Sequence, residues 1–415
     1  MPDGFEKFYD EENEVLKLNA TIYGTKQAAH CFYKALVKKV KEKEYEQSKA
    51  DPCLFYCWVD GRLVAFVSWV DDIMDCGESD DVKHLMKDLK NSCEYKCKGE
   101  LKEYVGSKID IVRKSDGDGL ATVKFTQPVL IQKLEDEYEL PDGIRTPKTP
   151  AAAGQTLVKG DGSGTVSDKA ATVYRSGTAT MMYMMQWSRP DIYNAVRGLA
   201  RHMSAPREAH VKAMGTAMKY VVATRNRGLV LAPDTVWDGG KSFNETFAFR
   251  IHGRADSDYA ANTDDRRSIS GGRVFLNKAP VTFKSATQKC VTLSVTEAEG
   301  GAGVLIAQDM LYVYRIVTSM SLRVELPMIL EMGNKGAVNL ANNWSVGGRT
   351  WHVDVKNHFL CELKDLGLLM KKIVPGDLND ANIFTKNTTG PIFERHIHNF
   401  VGTDEYMIVG VQWDL

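Results

Sequence analysis

The sequence predicts a multidomain protein that combines α+β and α/β regions. The chain has 415 residues, which is enough for two or three domains with separate hydrophobic cores. Segments with alternating apolar residues, typical of strands, are interleaved with segments that carry apolar residues at helical spacing. Two stretches, residues 147–167 and 233–244, are rich in turn-forming residues and are typical of connections between domains.

The composition is that of an ordinary globular protein, with 43% hydrophobic and 26% charged residues. No signal peptide is recognised and no apolar stretch is long enough to span a bilayer, so we expect an intracellular location, in the cytoplasm or the nucleus. The 8 cysteines are scattered, which favours reduced thiols over a disulfide framework. No histidine pairs with Cys53 and Cys57 or with Cys93 and Cys97, which argues against a zinc site.

The formal net charge of −1 means that any contact with nucleic acid must be local, because affinity for phosphates comes largely from Lys and Arg. The candidates are a lysine-rich run at residues 34–43 and the pair Arg266 and Arg267. The lysine run is equally typical of a solvated helix face, since Glu42 and Glu44 are interleaved with it.

Apolar spacing and turn residues predict, in order, a helix at 25–45, strands at 53–58 and 63–70, a helix at 80–93, a strand at 104–111 and a helix at 125–140. The two strands around Asp60 and Gly61 form a hairpin by their turn chemistry. Two further helices, at 170–185 and 206–224, follow the first connection, for which we predict no packing face.

The last third predicts strands at 247–259, 273–276, 281–285 and 290–295, then a helix that opens near Thr296, and then alternating strands and helices. The first of these strands ends in acidic residues, among them Asp256.

The adjacent carboxylates Asp71 and Asp72 end the apolar run at 63–70. Side-by-side carboxylates repel each other, and holding both ionised at the edge of a core requires a divalent metal or a cationic side chain. An ordinary hairpin turn is the alternative, because Asp is common in turns.

Four motifs resemble the reverse transcriptase of copia-type retrotransposons. Residues 69–72, Trp-Val-Asp-Asp, look like that family's Tyr-Val-Asp-Asp hairpin, and residues 16–28 are similar to its Leu-x-x-Ala-Leu-Tyr-Gly-Leu-Lys-Gln-Ala segment. Residues 174–177 and 188–192, Tyr-Arg-Ser-Gly and Ser-Arg-Pro-Asp-Ile, match its connecting region. Because the final third carries the family's ribonuclease H signature, the resemblance covers nearly the whole chain.

The resemblance implies four parts. They are a partial reverse transcriptase with fingers, palm and thumb at 1–145, a linker and helical connection at 146–244, a ribonuclease H-like mixed sheet at 245–390 and a C-terminal tail at 391–415. In the polymerase part, Asp71 and Asp72 would hold magnesium, while Lys26 and Gln27 would contact an RNA or DNA template–primer. Polymerases of this kind need one more carboxylate from an earlier strand, and no such strand is recognised before residue 16.

The family's ribonuclease H site gathers four carboxylates around two magnesium ions and binds an RNA–DNA hybrid, here with Arg266 and Arg267 beside it. Carried over by position, the first two acids are Asp256 and Glu299. The third and fourth positions hold Gly333 and Asn382, which have no carboxylate.

Two alternatives qualify these assignments. Glu299 is also placed to form a capping box with Thr296. Glu331 lies two residues before the third position, roughly 7 Å away along a strand, which is too far to replace the missing acid. His352 fits a family motif to which we assign no role.

Two hypotheses follow for function. In the first, the chain is an active enzyme module whose missing polymerase strand is supplied by a longer precursor. In the second, it is a catalytically degenerate relic that is at most a weak nucleic-acid or protein-binding module. The loss of two of four ribonuclease H carboxylates favours the second hypothesis.

Overall fold

A computed structural model describes residues 25–70, 72–78, 80–83, 87, 99–113, 120–138, 146–160, 162–237, 239–240, 247–342 and 351–403, with the backbone only for Lys26, 340–342 and 351–357. The chain separates into two compact units, residues 1–97 and 98–415. The finer division into four parts stays a prediction. Among the described helices, none is both long enough and apolar enough to cross a membrane.

The first unit is a helix with a four-stranded antiparallel sheet. Its elements are α1 (Lys26–Lys41), β1 (Glu46–Gln47), β2 (Leu54–Val59), β3 (Arg62–Trp69) and β4 (Asp72–Cys76), with the strands in that spatial order. The helix buries Leu36 and Val40 against Phe55, Val64 and Phe66. The predicted hairpin at 53–70 is confirmed, while α1 ends earlier than predicted. The predicted helix at 80–93 lies mostly outside the described residues.

The second unit contains two five-stranded sheets and a helical layer. In chain order its elements are β5 (Glu103–Tyr104), β6 (Ser107–Arg113), β7 (Ala121–Thr126), α2 (Pro128–Glu137), α3 (Asp168–Trp187), a 3₁₀ turn (Pro190–Ile192), α4 (Tyr193–Ala200), α5 (Glu208–Ala223), β8 (Gly228–Leu231), β9 (Ile251–Asp258), β10 (Ile269–Leu276), β11 (Ala279–Thr287), α6 (Val295–Ser319), β12 (Met328–Met332), α7 (Lys335–Asn342), α8 (Trp351–Asp365), β13 (Leu369–Ile373), a second 3₁₀ turn (Asp380–Phe384), α9 (Gly390–Ile397) and β14 (Val401–Gly402).

One sheet of this unit has the strand order β14-β8-β7-β6-β5. The predicted strand at 104–111 is divided into β5 and β6, because Val105 and Gly106 form a tight turn with positive φ. The predicted helix at 125–140 was wrong at its start, since Phe125 pairs with Ile109 and Leu229 in the sheet. The helix begins only at Pro128, whose fixed φ suits a first helical position.

The connection at 147–167 is packed, contrary to its prediction as a linker without a packing face. Val158 O accepts a hydrogen bond of 2.9 Å from His210 Nε2, and Arg207 Nη1 donates to Ser163 O. Leu157 packs against the core of α3, α4 and α5. The backbone of this segment therefore finds partners on the helices that follow it, which its own composition does not reveal.

His202 and His210 stack beneath this connection, with ring centroids 3.9 Å apart, and both are buried. Burial and the neighbouring His210 lower the pKa of His202 to about 4. Because the folded pKa lies below the ordinary value of 6.5, the unfolded chain binds this proton first as the pH falls. Stability contributed by neutral His202 is therefore lost between pH 6.5 and 4.

We expect His202→Phe to reduce the loss of unfolding free energy between pH 6.5 and 4 by about 2 kcal/mol relative to the parent chain. The measurement is urea unfolding across this pH range. His30→Phe, at an exposed position on α1, is the control and should follow the parent. Identical pH profiles for His202→Phe and the parent would contradict the prediction.

The second sheet is mixed, with the order β11-β10-β9-β12-β13. The strands β9, β10 and β11 are antiparallel, whereas β12 runs parallel to both β9 and β13. This arrangement is the ribonuclease H-like sheet that the resemblance implies, with β9 at its centre. Helix α6 packs so closely on one face that a Cβ at Gly253 would lie 2.5 Å from Met310 Sδ.

Two details of this region differ from the sequence predictions. Residues 290–295 form no strand; they lead into α6, whose N-cap is Ser294. The segment after residue 390, predicted as a tail, contains α9 and β14, and Phe393 and Ile397 belong to the core of α3 to α5. A chain end that buries aromatic and branched side chains is held by the hydrophobic effect, which the domain prediction did not take into account.

Candidate active site

The acidic hairpin of the first unit has the predicted geometry. Trp69 on β3 pairs with Asp72 on β4, and Val70, directly after β3, has a φ of 56°. Asp72 is exposed, as is Trp69 at 58%. Asp71 lies outside the described residues. The carboxylate of Asp72 is thus available to solvent, and the role of Asp71 and Asp72 as metal ligands stays a prediction.

Asp256 lies on the central strand β9 and is buried. Its carboxylate accepts a hydrogen bond from Thr385 Oγ1, and Lys386 Nζ lies 3.2 Å from its Oδ2. Burial raises the pKa of Asp256, and the Lys386 ammonium counteracts this effect. Both partners follow the second 3₁₀ turn, so the chain brings an ammonium group to the strand-end acid.

Glu299 lies on the first turns of α6, next to the strand that carries Asp256. Its Oε1 accepts a hydrogen bond of 3.4 Å from the Ser257 backbone N–H, which confirms the expected proximity of the two acids. Its Oε2 is buried, with no hydrogen-bond partner in the part of the chain that the structure describes. Burial and the charge of Asp256 raise the pKa of Glu299 to about 7. Glu299 is therefore partly protonated at neutral pH.

The capping-box alternative for Glu299 was wrong. The N-cap of α6 is Ser294, whose Oγ accepts from the Glu297 backbone N–H, and Glu297 Oε2 accepts from Leu293 N at 2.7 Å. The cap of α6 therefore lies two residues before the predicted one, and Glu297 rather than Glu299 reaches back to a backbone N–H. Glu299 is left to face Asp256.

The two positions without a carboxylate also lie near this site in sequence and space. Gly333 follows β12 directly, and a Cβ built on it would lie 3.6 Å from Asn379 Nδ2, an ordinary contact. Asn382 donates to Gly376 O at 2.7 Å and accepts from Lys386 Nζ at 3.3 Å. Lys386 thus lies between Asp256 and Asn382 and provides a positive charge from the chain itself.

These residues do not fit two magnesium ions. Nowhere in the described ranges do three or more His, Cys, Asp or Glu side chains form a group that could hold a metal ion. Magnesium prefers octahedral oxygen ligands, usually with carboxylates among them. Here two matched carboxylates remain, and the ammonium of Lys386 already contacts one of them. The structure therefore supports no reaction step through a metal pair.

Glu331 does not replace the third acid. Its Oε2 accepts hydrogen bonds from Arg254 Nε at 2.7 Å and from His252 Nε2 at 3.1 Å. Although burial alone would raise the pKa of Glu331, these hydrogen bonds and the Arg254 charge lower it to about 2. The Glu331 carboxylate is thus already paired with the positively charged guanidinium of Arg254.

A buried ion network next to the site was missed in the sequence. Asp380 is fully buried and accepts from Arg273 Nε at 2.7 Å, from Arg254 Nη1 at 2.8 Å and from Asn399 Nδ2. Its Oδ2 also contacts Arg273 Nη2. The network ties β9 and β10 to the second 3₁₀ turn and therefore positions Thr385 and Lys386.

The remaining predicted site residues are spread over both units. Arg266 and Arg267 are exposed on the loop between β9 and β10, and Arg267 Nε lies 3.7 Å from Asp265. Gln27 is exposed on the first turn of α1. The side chains of Lys26 and His352 lie outside the described residues. Both arginines are thus accessible to a binding partner from solution.

Known proteins resemble this chain along most of its length. A family model described as "Reverse transcriptase (RNA-dependent DNA polymerase)" matches residues 1–145. The Retrovirus-related Pol polyprotein from transposon TNT 1-94 of Nicotiana tabacum is 27% identical over 391 residues, and that from transposon RE1 of Arabidopsis thaliana is 27% identical over 399. These matches cover 93% and 95% of this chain. The family model and these relatives confirm the resemblance of the chain to the Pol polyproteins of copia-type retrotransposons.

This chain spans about a quarter of the length of these copia-type relatives, 28% and 25% respectively. The solved structure of LC11-RNase H1, isolated from compost by a metagenomic approach, is 14% identical with a TM-score of 0.27, over 36% of this chain and 98% of that one. The reverse transcriptase family model covers the first part of the chain, and the sheet of β9 to β13 has the ribonuclease H-like strand order.

The Ser-Arg-Pro-Asp motif of the copia-type connecting region has a structural role here. Arg189 donates to both carboxylate oxygens of Asp191, at 2.9 and 2.8 Å, and both residues are buried. Tyr220 Oη also donates to Asp191 at 2.8 Å. The motif forms a bidentate ion pair that joins the first 3₁₀ turn to α5.

Proposed function

We propose that this chain is a catalytically degenerate part of a copia-type Pol protein that binds nucleic acid without cleaving RNA–DNA hybrids at its ribonuclease H-like site. The observation that carries the proposal is the position of Lys386. Its ammonium lies 3.2 Å from Asp256 and 3.3 Å from Asn382, where the family has two acids. The ammonium of Lys386 therefore supplies the positive charge that balances the acid at this site.

The electrostatics of Glu299 support the proposal. Its pKa of about 7 leaves it partly neutral at physiological pH, so the two matched acids together carry less than two negative charges. Two magnesium ions carry four positive charges. A site with this imbalance would not retain a metal pair at ordinary magnesium concentrations.

Partners and location follow from the family and are part of the proposal. An RNA or DNA template–primer would lie along the acidic hairpin of Asp71 and Asp72, with magnesium bound there, and an RNA–DNA hybrid would meet Arg266 and Arg267. A complete Pol protein is the proposed macromolecular partner. The proposed location is inside the cell, in the cytoplasm or the nucleus.

We expect the purified chain to give no magnesium- or manganese-dependent cleavage of a labelled RNA–DNA hybrid above the level of its Asp256→Asn variant. Hybrid binding, measured by fluorescence anisotropy, should persist. Changing both Arg266 and Arg267 to Gln should weaken this binding several-fold. The slope of log K against log salt concentration should become shallower by the amount expected for the loss of about two phosphate contacts. The control Arg175→Gln, at an exposed position on α3, should bind like the parent.

Cleavage by the parent that Asp256→Asn abolishes would refute catalytic degeneracy. Binding that is unaffected by the double arginine change would refute the proposed hybrid contact at this loop. The two readouts therefore test the two halves of the proposal separately.

A further inference from the structure

A cavity of about 400 Å³ lies beside Asp258, at the end of β9. Its walls come from the connection at 150–157, from α4, from the end of β9 and from residues 385–389. Ligand pockets in proteins begin at about 300 Å³, so a small organic anion fits this volume. The cavity is separate from the Asp380 network and is formed by the helical connection and the ribonuclease H-like sheet together.

The charged side chains that line the cavity are mostly cations. Three cations, Arg197, Arg201 and Lys386, face one acid, Asp258. Two of the cations have counter-ions: Arg201 pairs with Asp264 at 3.4 Å, and Lys386 pairs with Asp256 at 3.2 Å. Arg197 is different, because no described carboxylate lies within ion-pair distance of it.

The contacts of Arg197 are all with neutral groups. Its Nη2 donates to Asn194 Oδ1 at 2.9 Å, and its Nη1 donates to Thr287 Oγ1 at 3.4 Å. Its Nε is buried and, among the described residues, has no hydrogen-bond partner. Burial, together with the nearby Arg201, lowers the pKa of Arg197 to about 10, so the guanidinium is still charged at neutral pH. The Asp258 carboxylate partly offsets this effect from beyond ion-pair distance, so a ligand that brings a negative charge into contact with the guanidinium would stabilise it further.

The wall next to Arg197 is held by side-chain and backbone hydrogen bonds. Asn194 Nδ2 donates to Asn387 Oδ1 at 2.9 Å, Asn387 Nδ2 donates to Gln155 O at 2.7 Å, and Gly154 N donates to Asn387 O at 2.8 Å. These bonds join α4, the connection and the segment after the second 3₁₀ turn. A preformed wall lowers the ordering cost that a ligand would otherwise bear.

We propose that this cavity binds the phosphate group of a nucleotide, with Arg197 as its counter-ion. A phosphate monoester carries a charge of about −1.5 to −2 at neutral pH, so it would give Arg197 the ion pair that no described carboxylate provides. The planar guanidinium donates two parallel hydrogen bonds to phosphate oxygens. The volume leaves room for the attached nucleoside. This inference goes beyond the proposed function, because it needs neither hybrid binding nor cleavage.

The test is calorimetric titration of the full chain with inorganic phosphate, with AMP and with adenosine. We expect saturable binding of phosphate and of AMP and none of adenosine. Arg197→Met should weaken AMP binding at least tenfold, Arg197→Lys, which keeps the charge, should weaken it less, and Arg175→Met should not change it. Equal binding of phosphate and AMP would assign the site to the phosphate group alone, which supports the proposal.

Thermal melting separates a binding role from a structural one. Without phosphate, Arg197→Met should melt at a higher temperature than the parent, because the substitution removes a poorly compensated charge. Phosphate should raise the melting temperature of the parent and leave that of Arg197→Met unchanged. No saturable binding by the parent, or a variant that binds AMP like the parent and melts at a lower temperature, would overturn the proposal.

Discussion

The double variant Gly333→Asp with Asn382→Asp is expected to bind magnesium at least tenfold more tightly than the parent chain, equivalent to about 1.4 kcal/mol or more. It restores acids at the two positions where the copia-type pattern has them. Magnesium gains affinity mainly from anionic oxygen ligands, so two added carboxylates should act together, and either single change should do less.

The structure indicates that both changes are tolerated. A Cβ at Gly333 meets only Asn379 Nδ2, at 3.6 Å, and Gly333 is exposed. The change at Asn382 keeps the size of the side chain but loses the hydrogen bond of 2.7 Å to Gly376 O, so the new carboxylate must turn away from that carbonyl. Its main effect should be to place a second carboxylate beside Lys386.

Lys386 competes with an added metal for these carboxylates. Adding Lys386→Met to the double variant should therefore raise magnesium affinity further, because it removes the ammonium 3.2 Å from Asp256. Calorimetric titration of the parent, the two single variants, the double variant and the triple variant measures each step.

A matched control adds two acids elsewhere, as Gly160→Asp with Gln132→Glu, at exposed positions of the same unit. This variant has the same net charge as the restored one, so it reports any nonspecific gain in magnesium binding. Equal affinities for the parent and the restored variant, or for the restored variant and the control, would show that Gly333 and Asn382 do not account for the missing metal site.

The largest expected effect on stability comes from Asp380→Asn, which should lower the free energy of unfolding by about 3–5 kcal/mol. Asp380 is fully buried and balances Arg273, which is itself buried, and Arg254. The substitution keeps the shape and removes the charge. It leaves Arg273 without its counter-ion, and an uncompensated buried charge is among the costliest defects in a protein.

Chemical denaturation of the parent and the variant measures this loss. Asp377→Asn is the control, because that carboxylate is exposed three residues earlier and should change stability by less than about 0.5 kcal/mol. A double change, Arg273→Met with Asp380→Leu, should recover at least half of the loss, since replacing both members of a buried ion pair by apolar groups is often close to neutral. If Asp380→Asn is as stable as the parent, the network does not hold the second 3₁₀ turn.

Local patterns in the sequence determined much of the candidate site. The alternation in β3 and the acids after it predicted the hairpin in which Trp69 pairs with Asp72. The order of strands and helices after residue 245 predicted the mixed sheet, and it placed Asp256 and Glu299 near each other. The absence of acids at Gly333 and Asn382 is a property of the sequence itself. These features depend on periodicity and on residue identity at single positions, which a sequence displays directly.

Only the tertiary structure decided which charges meet. Lys386 contacts Asp256 across 130 positions of the chain, and Arg273 contacts Asp380 across 107. Arg197 lines a cavity with no described carboxylate within ion-pair distance, which its neighbours in the sequence do not reveal. The connection at 147–167 has the composition of a linker, yet its backbone groups are bonded to distant residues. Charged and turn-forming residues have the same local pattern whether they are solvated or buried. Their partners are therefore set by how the sheet and the helices pack, which one segment of sequence does not encode.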